Sequence, residues 1–327
     1  MKIYLIALLI TLTITFFSGI VAIPFLRKIK AGQTVLKYVE THKEKNGTPT
    51  MGGLFFILPA ILVFYVFGGE KGKMAMISVS IGFAFLLVGA IDDYLKIKRK
   101  QNEGLKSYQK ILFQSGVALL SGIFAYRNGI TTFYIPFFNN TVELGYWTIP
   151  LCFFIFLAIT NSVNLTDGID GLASSVSAVY LFFISIIILC QITFFDFLYL
   201  KIEEYQNLIL LSFSLIGGLL GFLIFNTNKA KVFMGDTGSL AIGGFIGAIS
   251  VFSSNIFYIP LLGITFVMSA LSVIIQVYVY KRKGKRVFLM SPYHHHLQLK
   301  GYSESQISFY YSLITSIVGV LTIIFYF

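Results

Sequence analysis

The chain has 327 residues, of which 56% are hydrophobic, 17% aromatic and only 12% charged. Soluble domains carry about 25% charged residues, so this composition excludes an ordinary soluble protein. The mean hydropathy of +0.81 and the long uncharged stretches place most of the chain in lipid, where backbone polar groups must be satisfied within helices. The sequence therefore predicts an all-α polytopic membrane protein, with residues 1–327 forming a single integral-membrane domain.

Ten apolar segments follow one another along the chain, and we predict about ten transmembrane helices from them. The first segment begins after Lys2 and exceeds the usual apolar core of a secretion signal, so we expect it to be retained. The predicted spans cover residues 3–24, 51–68, 74–92, 108–126, 147–163, 171–191, 205–225, 236–253, 257–280 and 307–326.

The basic residues are distributed unequally between the two sides of the predicted membrane. All but five of the 25 lysines and arginines fall in the loops 25–50, 93–110, 226–235 and 281–306 or at the adjoining helix ends. Basic residues are retained in the cytoplasm, so these loops are predicted to be cytoplasmic and both termini extracytoplasmic. The basic inner face would also attract anionic lipid headgroups and anionic substrates.

Two further patterns concern structure rather than chemistry. Residues 131–146 alternate apolar and polar side chains around Asn139-Asn140, which predicts a small extracytoplasmic β-hairpin on the membrane surface. Glycines in the seventh and eighth spans are interpreted as positions of close helix packing. These glycines are Gly217, Gly218, Gly221, Gly243, Gly244 and Gly247.

Five of the six aspartates lie where predicted helices meet the inner face of the membrane. Acidic groups that collect at one boundary, although far apart in sequence, are what a shared cation or phosphate site requires. Each aspartate could instead have a local structural role, and the residues around it decide between the two interpretations. The five are Asp92, Asp93, Asp167, Asp170 and Asp236.

Asp92 and Asp93 end the third predicted span, at a helix C-terminus where the dipole disfavours carboxylates. A solvated helix end, steadied by Lys96 four residues after Asp92, is the simpler interpretation. The alternative is a pair that binds a divalent ion or accepts a proton, since one carboxylate raises the pKa of its neighbour. We favour the pair, because the simpler interpretation must absorb both the dipole and the repulsion between adjacent carboxylates.

Polar, glycine-spaced turns open the sixth and eighth predicted helices. Asp167 and Asp170 occur in NSVNLTDGIDGLA, and Asp236 occurs in VFMGDTGSLAIGG. Each could simply cap a helix N-terminus, where carboxylates suit the dipole. A site is favoured in the first turn because Asn164, Asp167 and Asp170 would share one broad face if helical. In the second turn, glycines and free amides at a helix start suit a bound phosphate.

Two inner loops carry histidine and lysine side chains that could contact a phosphate. The loop containing SPYHHHLQLKG has three consecutive histidines, which make a poor zinc site without other ligands. We favour phosphate contacts or structural hydrogen bonds for them. In HKEKNGTPTMGG, Lys45 could reach a phosphate as a flexible point charge, although a turn with topology-setting lysines would explain this motif alone.

Taken in order, five motifs resemble the signatures of the phospho-N-acetylmuramoyl-pentapeptide transferases, a family of the polyprenyl-phosphate sugar-1-phosphate transferase superfamily. The motifs are HKEKNGTPTMGG, DDYLK, NLTDGIDGLA, VFMGDTGSLAIGG and SPYHHHLQLKG, and they lie within about residues 40–305. GTPTMGG and the triple histidine are similar to this family rather than to the wider superfamily. The chain departs from the family at Gln298, where members often carry an acidic residue, and this affects only a loop contact.

The resemblance implies an enzyme of the bacterial cell membrane that moves phospho-N-acetylmuramoyl-pentapeptide from its UDP-linked precursor to undecaprenyl phosphate. The products are the first lipid-linked peptidoglycan intermediate, lipid I, and UMP. It implies Mg²⁺ as cofactor with Asp236 as its ligand, Asp92 as the base towards the lipid phosphate, and Asp93 in support, and we expect direct attack. The expected partners are the two substrates and membrane lipid, without nucleic acid, and polar contacts between spans could support a homodimer.

The resemblance further implies a set of substrate-binding residues around the three catalytic aspartates. Phe233 would stack on uracil, and Asp170 would hydrogen-bond it. The residues that would contact or orient phosphates are Lys45, Lys96 and His294. The residues that would line the nucleotide and sugar side are Asn164, Asp167, Asn226 and Gln276. His295 and His296 would also belong to the substrate-binding set.

Two other functions are compatible with parts of the sequence. A sister transferase of the same superfamily could use UDP-N-acetylglucosamine, but GTPTMGG and the histidine triplet weigh against it. A secondary transporter also has many spans and intramembrane carboxylates. The carboxylates of a transporter lie near the midplane, whereas the acidic motifs of this chain collect at the inner boundary.

Overall fold

The chain folds into α-helices that are joined mostly by short loops. The structure, a computed structural model, describes residues 1–28, 47–99, 101, 103–138, 140–194, 202–227 and 229–325. Within these ranges the helices are α1 (Lys2–Lys28), α2 (Gly53–Val66), α3 (Lys73–Arg99), α4 (Ser107–Arg127), α5 (Thr148–Thr166), α6 (Leu172–Phe194), α7 (Ile202–Asn226), α8 (Gly235–Phe252), α9 (Ile259–Leu262), α10 (Ile264–Lys283), α11 (Tyr293–Leu299) and α12 (Glu304–Ile324).

Eight of the described helices are long and apolar enough to cross a membrane, namely α1, α3, α5, α6, α7, α8, α10 and α12. Helix α2 is apolar but has only 14 residues. Helix α4 has 21 residues and carries polar side chains such as Lys110 and Gln114 in its first half. The predicted helical membrane protein is therefore confirmed, and the count of ten spans stays a prediction.

Helix α8 forms the centre of the molecule. Every residue from Thr237 to Phe252 is buried, and the helix packs against α2, α3, α5 and α6. Its glycines permit this packing: a Cβ atom at Gly243 would lie 2.5 Å from the Thr160 Cα of α5, and one at Gly244 would lie 2.6 Å from the Phe85 ring of α3. The predicted role of these glycines in close helix packing is confirmed.

Helix α7 forms a second buried axis, in contact with α1, α2 and α6. A Cβ atom at Gly218 would lie 2.7 Å from the Phe56 carbonyl oxygen of α2, and one at Gly221 would lie 2.8 Å from the Leu12 carbonyl oxygen of α1. Close backbone approach of this kind increases dispersion contacts where lipid offers no hydrophobic driving force. The glycine-rich faces of α7 and α8 therefore bring the outer helices against the core.

The predicted hairpin is present as strands β1 (Thr132–Ile135) and β2 (Asn140–Glu143), which pair antiparallel with Thr132 opposite Glu143. The Tyr134 amide donates a hydrogen bond to the Ser254 carbonyl oxygen at 3.0 Å, just beyond the C-terminus of α8. The hairpin consequently covers the end of α8 that is opposite Asp236.

Candidate active site

Three carboxylates from two helices converge at one end of the core. Asp92 and Asp93 of α3 and Asp236 of α8 each offer an oxygen atom, and these atoms lie within 4.8 Å of one another. Gly89 permits the approach, because a Cβ atom there would collide with the Asp236 backbone. Asp236 is in the first turn of α8 and is not its N-cap residue, so the capping interpretation is wrong for this position.

Asp92 and Asp93 do not lie at the end of a helix, as the sequence had suggested. Helix α3 continues to Arg99, two turns further, and the effect of the helix dipole falls off within the last turn. The two residues are only 2% and 1% exposed. Buried carboxylates require partners, because an unpaired buried charge is strongly disfavoured.

Two lysines supply the positive charge that this cluster needs. The Lys96 ammonium lies 2.7 Å from Asp92 Oδ2, 2.9 Å from Asp236 Oδ2 and 3.5 Å from Asp93 Oδ1. The predicted contact between Lys96 and Asp92 is therefore present, but Lys96 bridges all three acids rather than steadying a helix end. Lys110 of α4, which sequence reasoning missed, lies 2.8 Å from Asp236 Oδ2.

Backbone amides hold the two adjacent acids in fixed orientations. Asp93 Oδ2 accepts hydrogen bonds from the amide of Thr237 at 2.9 Å and from its hydroxyl at 2.7 Å. Asp92 Oδ1 accepts one from the Leu105 amide at 2.8 Å. Each acid therefore uses one oxygen for the scaffold and directs the other towards Lys96. Thr237 at the start of α8 thereby ties Asp93 to the helix that carries Asp236.

Asn164, near the end of α5, completes the surroundings of Asp236. Its side-chain amide donates to Asp236 Oδ1 at 2.6 Å and to Ser239 at 2.9 Å. The Lys110 ammonium also lies 3.4 Å from Asn164 Oδ1. Asp236 is thus held by two ammonium groups and one amide. The expected role of Asn164 on the nucleotide and sugar side stays a prediction.

Asp167 and Asp170 follow α5, and they do not share a helical face with Asn164, because α5 ends at Thr166. Burial, followed by the nearby carboxylates of Asp236 and Asp93, raises the pKa of Asp167 well above its usual value. Asp170 is buried, and its carboxylate accepts a hydrogen bond from the Ala230 amide at 2.9 Å. The two aspartates therefore have different surroundings, and the carboxylate of Asp167 interacts with those of Asp236 and Asp93.

The loop between α7 and α8 is fixed by hydrogen bonds to two other motifs. The Phe233 amide donates to the Pro49 carbonyl oxygen at 2.8 Å, and the Gly52 amide donates to the Phe233 carbonyl oxygen at 3.0 Å. Asn226 is buried; its Oδ1 accepts from the Gly171 amide at 3.1 Å and its Nδ2 donates to the Val232 carbonyl oxygen at 3.0 Å. The motifs around residues 49, 171 and 233 thus meet in space.

The histidines lie on α11, a short helix where the sequence had predicted only a loop. His294 is fully buried, and neither of its ring nitrogens has a hydrogen-bond partner within the described part of the chain. Burial, followed by the adjacent His295 ring, lowers the pKa of His294 well below its usual value. A Cβ atom at Gly168 would meet both His294 and His295, so α11 packs directly on the NLTDGIDGLA turn.

Two of the remaining predicted residues hold a loop through hydrogen bonds, and one lies outside the described ranges. His296 Nδ1 accepts a hydrogen bond from the Leu289 amide at 3.1 Å. Gln276 Oε1 accepts from the amides of Val287 and Phe288, both at 3.0 Å, and so holds the loop after α10. Lys45 lies outside the residues that the structure describes.

The helical membrane fold and the cluster of acids and lysines at its edge point to a membrane transferase. Residues 74–254 match the model of glycosyl transferase family 4. Residues 45–57 match phospho-N-acetylmuramoyl-pentapeptide-transferase signature 1.

Full-length relatives narrow this class. The chain is 39% identical over 330 residues to a phospho-N-acetylmuramoyl-pentapeptide-transferase of Clostridium novyi. The aligned region covers 99% of this chain and 98% of the relative. The chain is 40% identical over 313 residues to one of Caldanaerobacter subterraneus, with 95% of each chain covered. One of Listeria monocytogenes is 39% identical over 312 residues, with 93% of each covered. The chain therefore belongs to the phospho-N-acetylmuramoyl-pentapeptide-transferase family, which confirms the resemblance of its motifs.

Proposed function

We propose that the chain transfers phospho-N-acetylmuramoyl-pentapeptide from its UDP-linked precursor to undecaprenyl phosphate and releases lipid I and UMP. The observation that carries this proposal is the cluster of Asp92, Asp93 and Asp236, which two lysines partly neutralise, in a chain of this family. Such a cluster can bind phosphate groups through its lysines while its carboxylates accept a proton or hold a cation.

The proposed setting is the bacterial cell membrane, with residues 1–327 as one domain of ten spans. Both termini would be extracytoplasmic, and the loops that carry the acids and histidines would face the cytoplasm, as the basic residues indicate. This arrangement would let a water-soluble nucleotide precursor meet a lipid phosphate at the membrane boundary. Polar contacts between spans could support a homodimer in this membrane.

We propose Mg²⁺ as the cofactor, with Asp236 as its ligand and the neighbouring carboxylates in support. The donor set fits, because Mg²⁺ prefers oxygen ligands and usually takes one or two carboxylates together with phosphates and water. The three carboxylates outnumber the two lysines that contact them, so the cluster retains negative charge for a cation. When bound, Mg²⁺ would neutralise the charge of the diphosphate.

The chain's own residues would perform the proton transfer and the positioning. Asp92 Oδ2, which is not used by the Leu105 amide, would accept the proton of the lipid phosphate, whose oxygen then attacks the β-phosphorus of the precursor. Asp93 would keep α8 in register through Thr237. Lys96 and Lys110 would turn towards the phosphates and offset their charge as UMP leaves.

The nucleotide would bind beside the acids, at the junction of the loops before α6 and α8. Phe233 is half-buried and would stack on uracil, with Asp170 hydrogen-bonded to the base. Asn164, Asp167 and the histidines would complete the pocket. Asn226 and Gln276 hydrogen-bond backbone groups, so we propose that they support the pocket by holding its loops in place.

UMP release by the purified protein in detergent tests this proposal. The assay supplies undecaprenyl phosphate and Mg²⁺ and compares UDP-N-acetylmuramoyl-pentapeptide with UDP-N-acetylglucosamine. Turnover that requires the muramoyl substrate and that EDTA abolishes is the expected result. Turnover with the glucosamine substrate alone would instead assign the sister activity, and silence with both substrates from folded protein would contradict the proposal.

A further inference from the structure

A chain of hydrogen bonds connects the histidine helix to α12 and to the turn before α6. His295 Nδ1 lies 2.7 Å from Gln298 Oε1, and Gln298 Nε2 donates to Glu304 Oε1 at 3.2 Å. Glu304 Oε2 accepts a hydrogen bond from the Asp170 backbone amide at 2.8 Å. His295, Gln298, Glu304 and the Asp170 amide therefore form one relay.

The relay has a defined direction, because two of its members can act in only one way. An ionised carboxylate only accepts hydrogen bonds, and a backbone amide only donates. Glu304 therefore requires the nitrogen end of the Gln298 side chain, which turns the Gln298 oxygen towards His295. In the neutral His295 ring the hydrogen must then be on Nδ1, and the lone pair is on Nε2.

We propose that Gln298 and Glu304 are positioning residues that fix His295 as the Nδ1–H tautomer. A Cβ atom at Gly168 would lie 3.1 Å from His295 Nε2, so this nitrogen faces the NLTDGIDGLA turn. Nε2 of this tautomer accepts a hydrogen bond from an N–H or O–H group of the UDP-linked substrate. It does not donate to a phosphate oxygen. This inference rests on the proposed function for its substrate, but the relay itself rests on the geometry alone.

Replacing Glu304 by glutamine should reverse the relay. The Asp170 amide would hold the new side-chain oxygen, and the new NH2 group would then face Gln298. Gln298 would turn its oxygen to that group and its nitrogen to His295. The His295 ring would consequently move its hydrogen to Nε2 and present a donor where the wild-type ring presents an acceptor.

A second substitution should restore the original direction. In the double variant Glu304→Gln with Gln298→Glu, the carboxylate at position 298 accepts from both neighbours, so His295 again carries its hydrogen on Nδ1. Glu203→Gln is the matched control, because Glu203 is exposed in the first turn of α7 and its substitution removes the same charge.

The experiment combines ¹⁵N spectra of histidine-labelled protein, assigned with His295→Gln, and UMP-release kinetics. We expect an Nδ1–H signature for His295 in the wild type and the double variant, and an Nε2–H signature in Glu304→Gln. Glu304→Gln should raise the KM for the UDP-linked substrate about tenfold, the effect of one lost hydrogen bond, and leave the KM for the lipid unchanged. A structural defect would not move the hydrogen between ring nitrogens, and the control should match the wild type.

The proposal is overturned if folded Glu304→Gln retains the Nδ1–H signature, or if the double variant fails to regain it. Equal loss of affinity for both substrates, without recovery in the double variant, would also overturn it. Absence of turnover by the wild type would count against the proposed function, and the spectra would still decide whether the relay exists.

Discussion

Lys110 provides a test of how the negative charge of the acidic cluster is offset. The sequence motifs did not indicate this residue, and only the structure shows its contact with Asp236. The Lys110→Gln substitution removes one of the two ammonium groups that contact Asp236 Oδ2. The contact measures 2.8 Å, and the two side chains are only 18% and 14% exposed, so solvent screens it less than a surface ion pair.

The expected effect on kcat follows from the proposed role of Lys110 in the reaction, where its ammonium turns from Asp236 towards the phosphates. A hydrogen bond to a charged group in the transition state contributes about 1.5–3 kcal/mol, which corresponds to about a ten- to hundredfold change. We therefore expect kcat for UMP release to fall by about ten- to hundredfold in Lys110→Gln. Because the cluster also loses one positive charge, the Mg²⁺ concentration needed for half-maximal activity should fall.

The matched control is Lys98→Gln, which removes an exposed lysine from the last turn of α3. It should leave both kcat and the Mg²⁺ requirement unchanged. If folded Lys110→Gln keeps kcat within about twofold of the wild type, or if its Mg²⁺ requirement rises, Lys110 does not balance the charge of Asp236 and the reasoning is wrong.

Four further predictions test other parts of the structure. Asp236→Asn should abolish UMP release from protein that still elutes as a folded species, because Asp236 is the proposed metal ligand; near-normal turnover would refute that role. Phe233→Ala should raise the KM for the nucleotide substrate more than that for the lipid, and equal changes would contradict uracil stacking. Burial raises the pKa of Asp167 in the folded protein, so ionisation of this side chain destabilises the fold once the pH exceeds the pKa that Asp167 has in the unfolded chain. Asp167→Asn should therefore unfold at a higher temperature than the wild type at about pH 8 and at the same temperature at about pH 4. Gly218→Ala should lower the free energy of unfolding by about 1–3 kcal/mol because its Cβ atom would meet the α2 backbone, whereas Gly116→Ala, with nothing within 4 Å, should raise it by about 0.5–1 kcal/mol; equal effects would argue against the described packing.

The positions of the eight long apolar helices in the described part of the chain could be predicted, because an uninterrupted apolar run of about 20 residues is typical of a membrane-spanning helix. The end of α3 could not be predicted, since half of the residues from Tyr94 to Arg99 are charged and the helix continues past the apolar stretch. Helix α11 was missed for the same reason: its consecutive histidines give no apolar periodicity, and Pro292 precedes its first turn. Local composition locates a span well, but it does not determine where a polar helix ends.

The acidic cluster could be predicted in part, because aspartates at membrane boundaries require partners and their motifs are distinctive. The set of partners could not be derived from sequence spacing. Lys110 and Gln114 are four residues apart and share a helix face, which was the available signal, but many lysines in this chain set topology. Asn226 could be identified from the sequence as a residue of interest, but its role could not. An asparagine at this position gives the same sequence pattern whether its side-chain amide hydrogen-bonds a loop or a ligand.

The central position of α8 has a consequence for how the protein is made. Asp92 and Asp93 leave the ribosome well before Asp236, and at synthesis rates of about 5–20 residues per second the interval is roughly 7–29 s. During that interval Asp93 lacks the Thr237 amide and hydroxyl that later hold it, and α3 lacks the helix against which it packs most extensively. The site is therefore assembled late, when α8 inserts between helices that are already in the membrane. A ribosome paused before residue 235 has synthesised the helices that carry Asp92, Lys110 and Asn164, but the site still lacks Asp236.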